Sequence, residues 1–218
     1  MTIIGIAVVF PIVFSIGGAY NRRETALKHY ASLKAHGRAI FFASRDWVPK
    51  TDAAFQSESK EILRDLMRSV RNFLHAEIEE HVEKENVVYS IFSRLSIFIK
   101  SFRERELPSG EVSRSNQYLS KMMDAFESLK HIYQYRTPVT LRAYSKIFMF
   151  LVPILYGPYF EYIAGDLSIA MQMVMPVLLS IVLVSLDNIQ DHLENPYDQV
   201  GEDDVQINAE KFIDWLDS

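Results

Sequence analysis

Hydrophobic and charged positions separate into blocks along this chain. Residues 1–20 carry no charged side chain, and neither do residues 167–186. At about 1.5 Å of rise per residue, a run of some 20 apolar residues matches the roughly 30 Å hydrocarbon core of a bilayer. Residues 147–160 form a third uncharged run, ended by Glu161 and Asp166; with Tyr162, Ile163 and Ala164 added it also reaches across. The pattern predicts three membrane spans. A soluble protein with three buried core helices would seldom keep such runs free of charge. A signal peptide needs its basic cluster before the apolar stretch, whereas Arg22 and Arg23 follow it.

Between the first and second runs the periodicity is helical. Ala26, Tyr30, Leu33, Ala35, Ala39, Ile40 and Ala43 keep a loose apolar face that ends at Asp46-Trp47-Val48-Pro49. Ile62, Leu66, Val70, Phe73 and Leu74 recur at spacings of three and four, the mark of an amphipathic helix. Residues 87–102 and 116–135 read the same way, Leu107-Pro108-Ser109-Gly110 predicts a turn, and residues 205–216 predict a short final helix. Sustained period-two alternation between turn signals is absent. The fold class is therefore all-α: an integral membrane helical protein with a helical cytoplasmic region. Its expected divisions are a membrane helix over 1–20, the helical region 21–146, a transmembrane hairpin over 147–186 and an acidic tail over 187–218.

Charge sets the orientation. Residues 22–146 hold 22 Lys and Arg against 16 Asp and Glu, a net of +6, while residues 187–218 hold one Lys against ten acids, a net of −9. A basic stretch bracketed by spans fits the positive-inside rule better than nucleic-acid binding, and no glycine-rich phosphate loop or basic-aromatic RNA motif is present. Arg22 and Arg23, with Arg136, Arg142 and Lys146, place both ends of the 22–146 block in the cytoplasm. Glu161–Asp166 becomes an outer turn. The amino terminus then lies outside, with Met1 close to the bilayer, so a preceding helix is expected. The membrane is expected to be a cell membrane, crossed several times, with an organelle membrane left open.

Reactive chemistry is sparse. The chain has no cysteine, which removes disulfides, thiolate metal sites and cysteine nucleophiles. His75 and Glu79, with His81 near, fall in a stretch read as helical; a carboxylate–histidine metal site would need inward ligands from several helices, and a solvated helix face is the better reading. Ser44 has no adjacent base, and paired acid–base carboxylates are absent, so no enzyme activity is expected.

Two stretches carry a resemblance. In the first, Thr2-Ile-Ile-Gly-Ile6-Ala-Val-Val-Phe10-Pro11-Ile-Val-Phe14 is followed by Gly17-Gly18-Ala19-Tyr20-Asn21-Arg22-Arg23-Glu24. Ile6, Phe10 and Phe14 stand at i, i+4 and i+8, on one helical face. Taken alone, that stripe is a lipid-facing or packing face. In the second, Arg136-Thr-Pro-Val-Thr-Leu-Arg142-Ala-Tyr-Ser-Lys146 leads into the hairpin, followed by Asn195-Pro196-Tyr197 and Gly201-Glu202-Asp203-Asp204. Over residues 2–47 and 136–204 the chain resembles the bestrophin ion channels, the bacterial ones in particular; residues 48–135 agree only in being helical.

The resemblance implies a homopentamer in the lipid bilayer, with Ile6, Phe10 and Phe14 forming an apolar pore neck. Apolar constrictions gate by dewetting, and phenyl edges offer an anion weak attraction without fixed charge. Pro11 invites a kink within the neck, and Gly17 and Gly18 permit a wider bore beyond it. Pro11 departs from the usual family pattern. Chloride is the expected ion, from the family's commoner behaviour and the +6 block; a cation-selective channel of the same fold and a non-conducting membrane scaffold stay open. In animal relatives the second stretch forms a calcium clasp, which carries over to Asn195, Glu202, Asp203 and Asp204. Against a clasp stand the extra Asp198-Gln199-Val200 and the lack of the segment that supplies its other oxygens. The alternative there is an acidic surface loop.

Overall fold

The computed structural model describes residues 2–135, 139–165, 169–197 and 205–217, at some positions, 2–12 among them, by backbone alone. Seven α-helices appear among these residues, and no strand: α1 (Thr2–Phe42), α2 (Ala53–Leu74), α3 (His81–Ser101), α4 (Ser109–Gln134), α5 (Val139–Ala164), α6 (Ile169–Glu194) and α7 (Ala209–Asp217). They fall into two compact units. One comprises Met1–Glu24 with Tyr135–Asp204, the other Thr25–Gln134 with Val205–Ser218. The short final helix therefore groups with the central helices.

Helix α1 is continuous from Thr2 to Phe42 and passes Pro11 without a break in helical assignment. It ends in a π-helical turn, Ala43–Trp47, with Val48 extended beyond it. The wider turn goes with local side-chain bonding. Ser44 Oγ donates to the Phe41 carbonyl at 2.7 Å and meets Ser59 Oγ on α2 at 3.2 Å, so this buried hydroxyl has partners.

Helix α2 starts where Asp52 caps it, its carboxylate accepting the Phe55 N–H at 2.7 Å. The same carboxylate takes a bond from Arg105 at 3.0 Å. The backbone hydrogen bond first, then Arg105, hold the Asp52 carboxyl below its ordinary value. A depressed carboxyl stabilises the fold above the ordinary carboxylate range and loses that effect as pH falls through the folded value. Asp52→Ala is expected to lower the thermal midpoint by a few degrees at neutral pH, a difference that disappears in acid; melting curves of both proteins across pH check this.

One stripe of α2, including Ile62, Leu66, Val70 and Phe73, is fully or almost fully buried, as its spacing predicted. Phe73 meets Phe126 of α4 edge-on, ring centres 5.5 Å apart, and Phe92 of α3 stands 5.9 Å from the same Phe126. A second aromatic group, Phe55, Phe98 and Phe102, closes the other end, with centroids 4.5 to 5.7 Å apart. Lys130 of α4 ties α3 in place. Its ammonium reaches Glu85 at 3.0 Å, Tyr89 Oη at 2.8 Å and Glu127 at 2.7 Å. Burial disfavours its charge, but these hydrogen bonds outweigh burial and raise its pKa.

Two local readings of the sequence are corrected. Helix α2 stops at Leu74, with the His75 N–H bonded to Arg71, and Glu79 lies in a separate 3-10 turn, Ile78–Glu80. His75 and Glu79 thus share no helix face. The corner between α3 and α4 comes earlier than Leu107–Gly110: Glu106 takes a left-handed φ of 67°, Leu107 N–H bonds back to Phe102, and Ser109 already opens α4. The local 6→1 bond satisfies the carbonyl of Phe102, the residue that caps α3, and so sets the turn.

Gly37 of α1 permits close packing of the last helix. A Cβ there would stand 3.2 Å from Phe212 of α7 and 3.4 Å from Met122 of α4. Gly37→Leu is therefore expected to cost about 1–3 kcal/mol through overpacking, read as a lower denaturation midpoint with earlier proteolysis of the carboxyl-terminal helix.

In the other unit α5 packs against α6 around Met149, Val152 and Leu183, with Ile16 of α1 laid on the same cluster. The remaining apolar surface of this pair points outward: Phe150 is 73% and Ile154 72% exposed, and Val177, Leu178, Ile181 and Val182 are about half exposed. Among the described residues one helix, Met173–Leu193, is long and apolar enough to cross a membrane. Pro153 and Pro158 lie within α5 and Pro176 within α6. Ser180 and Ser185 bond back to the carbonyls of Pro176 and Ile181 at 2.9 and 2.8 Å, the i−4 pattern of serines within helices.

Candidate pore-lining segment

The candidate neck residues lie on the amino-terminal half of α1. An unbroken helix keeps Ile6, Phe10 and Phe14 in one register, each four residues on from the last, with Gly18 next in the row. The side chains of Ile6 and Phe10 lie outside the described residues. Phe14 is 62% exposed and its neighbour Val13 57%. The contrasting face is small and buried. Ser15 is 2% exposed, Ala19 is fully buried, and Ile16 packs on the α5–α6 cluster.

Helix α1 thus has two faces at this level, one committed within the protomer and one carrying Phe14 outward. The sequence reading singled out the aromatic row and missed the buried face. Its signal was available: Ser15 and Ala19 are small residues four apart, spacing that lets helices approach closely in an apolar medium. Gly17 and Gly18 meet open space, since a Cβ at either would have no neighbour within 4 Å. Neither glycine is therefore required by packing inside the protomer.

The acidic candidates divide. Glu202, Asp203 and Asp204 lie outside the described residues. Asn195 follows α6 and its Oδ1 accepts the Tyr197 N–H at 3.4 Å, a local turn that seats Pro196 and Tyr197 in the interior. Burial pushes the Tyr197 phenol upward, so it stays neutral. Calcium takes six to eight oxygens. One amide oxygen already engaged by a turn falls far short, and no cluster of three His, Asp or Glu exists among the described residues. The described residues do not form a calcium site. Beside this turn Lys146 of α5 faces Asp191 of α6 at 3.5 Å, a half-exposed pair worth little in stability.

Solved structures share this fold. A single-substitution variant of a bacterial bestrophin homologue from Klebsiella pneumoniae superposes with a TM-score of 0.81 and 17% identity, over 100% of this chain and 86% of that one. The homologue itself gives 0.78 at 17% identity, over 99% and 82%. A further crystal structure, described as a membrane protein, gives 0.80 at 16% identity, over 99% and 83%. No protein-family profile and no curated protein sequence matches the chain. At such identities the likeness is one of fold.

Proposed function

We propose that this chain, which has the bestrophin fold, is a subunit of a bestrophin-like membrane channel that passes small anions, chloride foremost. The carrying observation is the agreement between an apolar row on an unbroken α1 and a fold shared along nearly the whole chain with bacterial bestrophin homologues. That fold also supports a channel rather than an enzyme, and an assembly of several copies; five copies would turn each neck residue into a ring. The exposed apolar belt of α5 and α6 supports a place in the bilayer, where burial against lipid replaces burial in a core. The choice of anions rests on the +6 balance of residues 22–146, which would concentrate anions wherever these side chains face the conducting path.

The purified full-length protein in a planar bilayer, under a potassium chloride gradient, tests this reading. The reversal potential is expected near the chloride equilibrium value. A reversal near the potassium value would retain the channel and overturn the anion selectivity. Absence of current from correctly assembled protein would favour a non-conducting membrane scaffold.

A further inference from the structure

A cluster of cations gathers on the Thr25–Gln134 and Val205–Ser218 unit. Helix α7 lies along α1 and is anchored there by Asn208, whose backbone N–H donates to Tyr30 Oη at 3.1 Å. Between them is a cavity of about 300 Å³, lined by Tyr30, Lys34, Asn208, Lys211 and Trp215 among others. Three cations surround the Trp215 indole. Arg38 stands 4.8 Å from its ring centre, Lys211 5.5 Å and Lys34 5.9 Å, with Lys34 also 4.4 Å over the Tyr30 ring.

Aromatic faces attract cations, but they do not neutralise three of them. Among the described residues Lys34, Arg38 and Lys211 have no acidic partner within ion-pair distance, and the nearby Glu210 is engaged by Arg68 at 3.0 Å. Arg38 Nε is buried with no hydrogen-bond partner, and buried donors are ordinarily satisfied. Burial, then repulsion from Arg38 and Lys211, lower the Lys34 pKa. An anion in the cavity would relieve that repulsion. The Tyr30 hydroxyl accepts from Asn208 and is kept neutral by burial, so its own proton is available to donate.

We infer that this cleft binds a multiply charged phosphate anion, held by Lys34 and Lys211 beside Trp215, with Tyr30 donating to a phosphoryl oxygen and Arg38, against the Trp215 ring, adding to the positive charge. Three cations call for more than the single charge of a carboxylate. Two ammonium donors and a hydroxyl around one cavity, with a guanidinium close by, are a donor set phosphoryl oxygens take. Free diphosphate and a phosphorylated lipid headgroup share this chemistry. Binding is independent of ion conduction, so either reading can fail without the other.

Trp215 makes the test direct, because Trp47 is the only other tryptophan. The full-length protein carrying Trp47→Phe, in phosphatidylcholine nanodiscs, is titrated with inorganic pyrophosphate at constant ionic strength while tryptophan emission is followed. The expected result is a saturable change, at least tenfold weaker in affinity with Lys34→Gln and with Lys211→Gln. Unchanged thermal midpoints would show that these surface variants fold. In a second arm phosphatidic acid replaces part of the phosphatidylcholine. A lysine-dependent emission change from the lipid alone, with pyrophosphate then acting weakly, would assign the site to a headgroup. A saturable pyrophosphate response unaffected by the lipid would assign it to a free ligand. No response in either arm, a response reproduced by sodium chloride, or one undiminished in both lysine variants would overturn the proposal.

Discussion

Phe10→Ala combined with Phe14→Ala is expected to raise single-channel conductance or open probability several-fold. Water leaves an apolar constriction because too few polar partners hold it there, and an ion then meets a desolvation barrier. Truncating two phenyl groups per subunit widens the passage and lets water persist. Phe14 already points away from the packed face of α1, so its removal leaves no hole in the α5–α6 cluster. The effect should appear in single-channel records. Gly18→Phe supplies the opposite test. It follows in the same row, a Cβ there has no neighbour within 4 Å, and the added ring should lower conductance. Currents unchanged by all these substitutions would remove the stripe from the conduction path.

Phe73→Ala should be the most damaging single truncation in the other unit, at about 3–5 kcal/mol. Phe73 is fully buried, and its ring meets Phe126 at 5.5 Å, His81 at 5.2 Å and Tyr133 at 6.1 Å. Those partners belong to α3 and α4, so a cavity there loosens three helices at once. Phe73→Leu retains most of the volume and should cost under about 1.5 kcal/mol. Chemical denaturation followed by near-ultraviolet circular dichroism would rank the two. Equal losses would mean that the site collapses around alanine. Loss of a cap such as Asp52 changes one helix end and leaves this core intact, which is why its expected effect is smaller.

Much of this structure is legible in spacing alone. Ile62, Leu66, Val70 and Phe73 announce the buried face of α2 because each lies three or four residues from the next, and helix geometry turns that spacing into one stripe. The aromatic row of α1 is readable for the same reason. Chain breaks are less readable. Nothing in His75–Glu80 forbids helix, and the stop after Leu74 comes with a packed corner in which His81 bonds the Ala76 carbonyl at 3.1 Å and lies against Tyr133. The left-handed Glu106 is similarly a choice of the α3–α4 corner, since a glutamate offers no intrinsic preference for that conformation.

The sequence by itself determined the all-helical class, the register of the Ile6, Phe10 and Phe14 row and the separation of apolar from charged segments. These follow from local periodicity and from the free energy of keeping charge out of an apolar run. Tertiary structure decided which α1 face is buried, where Gly37 lets Phe212 approach, and that Lys34 shares a cavity with Lys211 and Trp215 while Arg38 stands against the Trp215 ring. Tyr30 and Asn208, which bring those groups together, are 178 positions apart. A lone lysine on a helix looks like any solvated charge; only long-range packing crowds three cations together and thereby creates a demand for an anion.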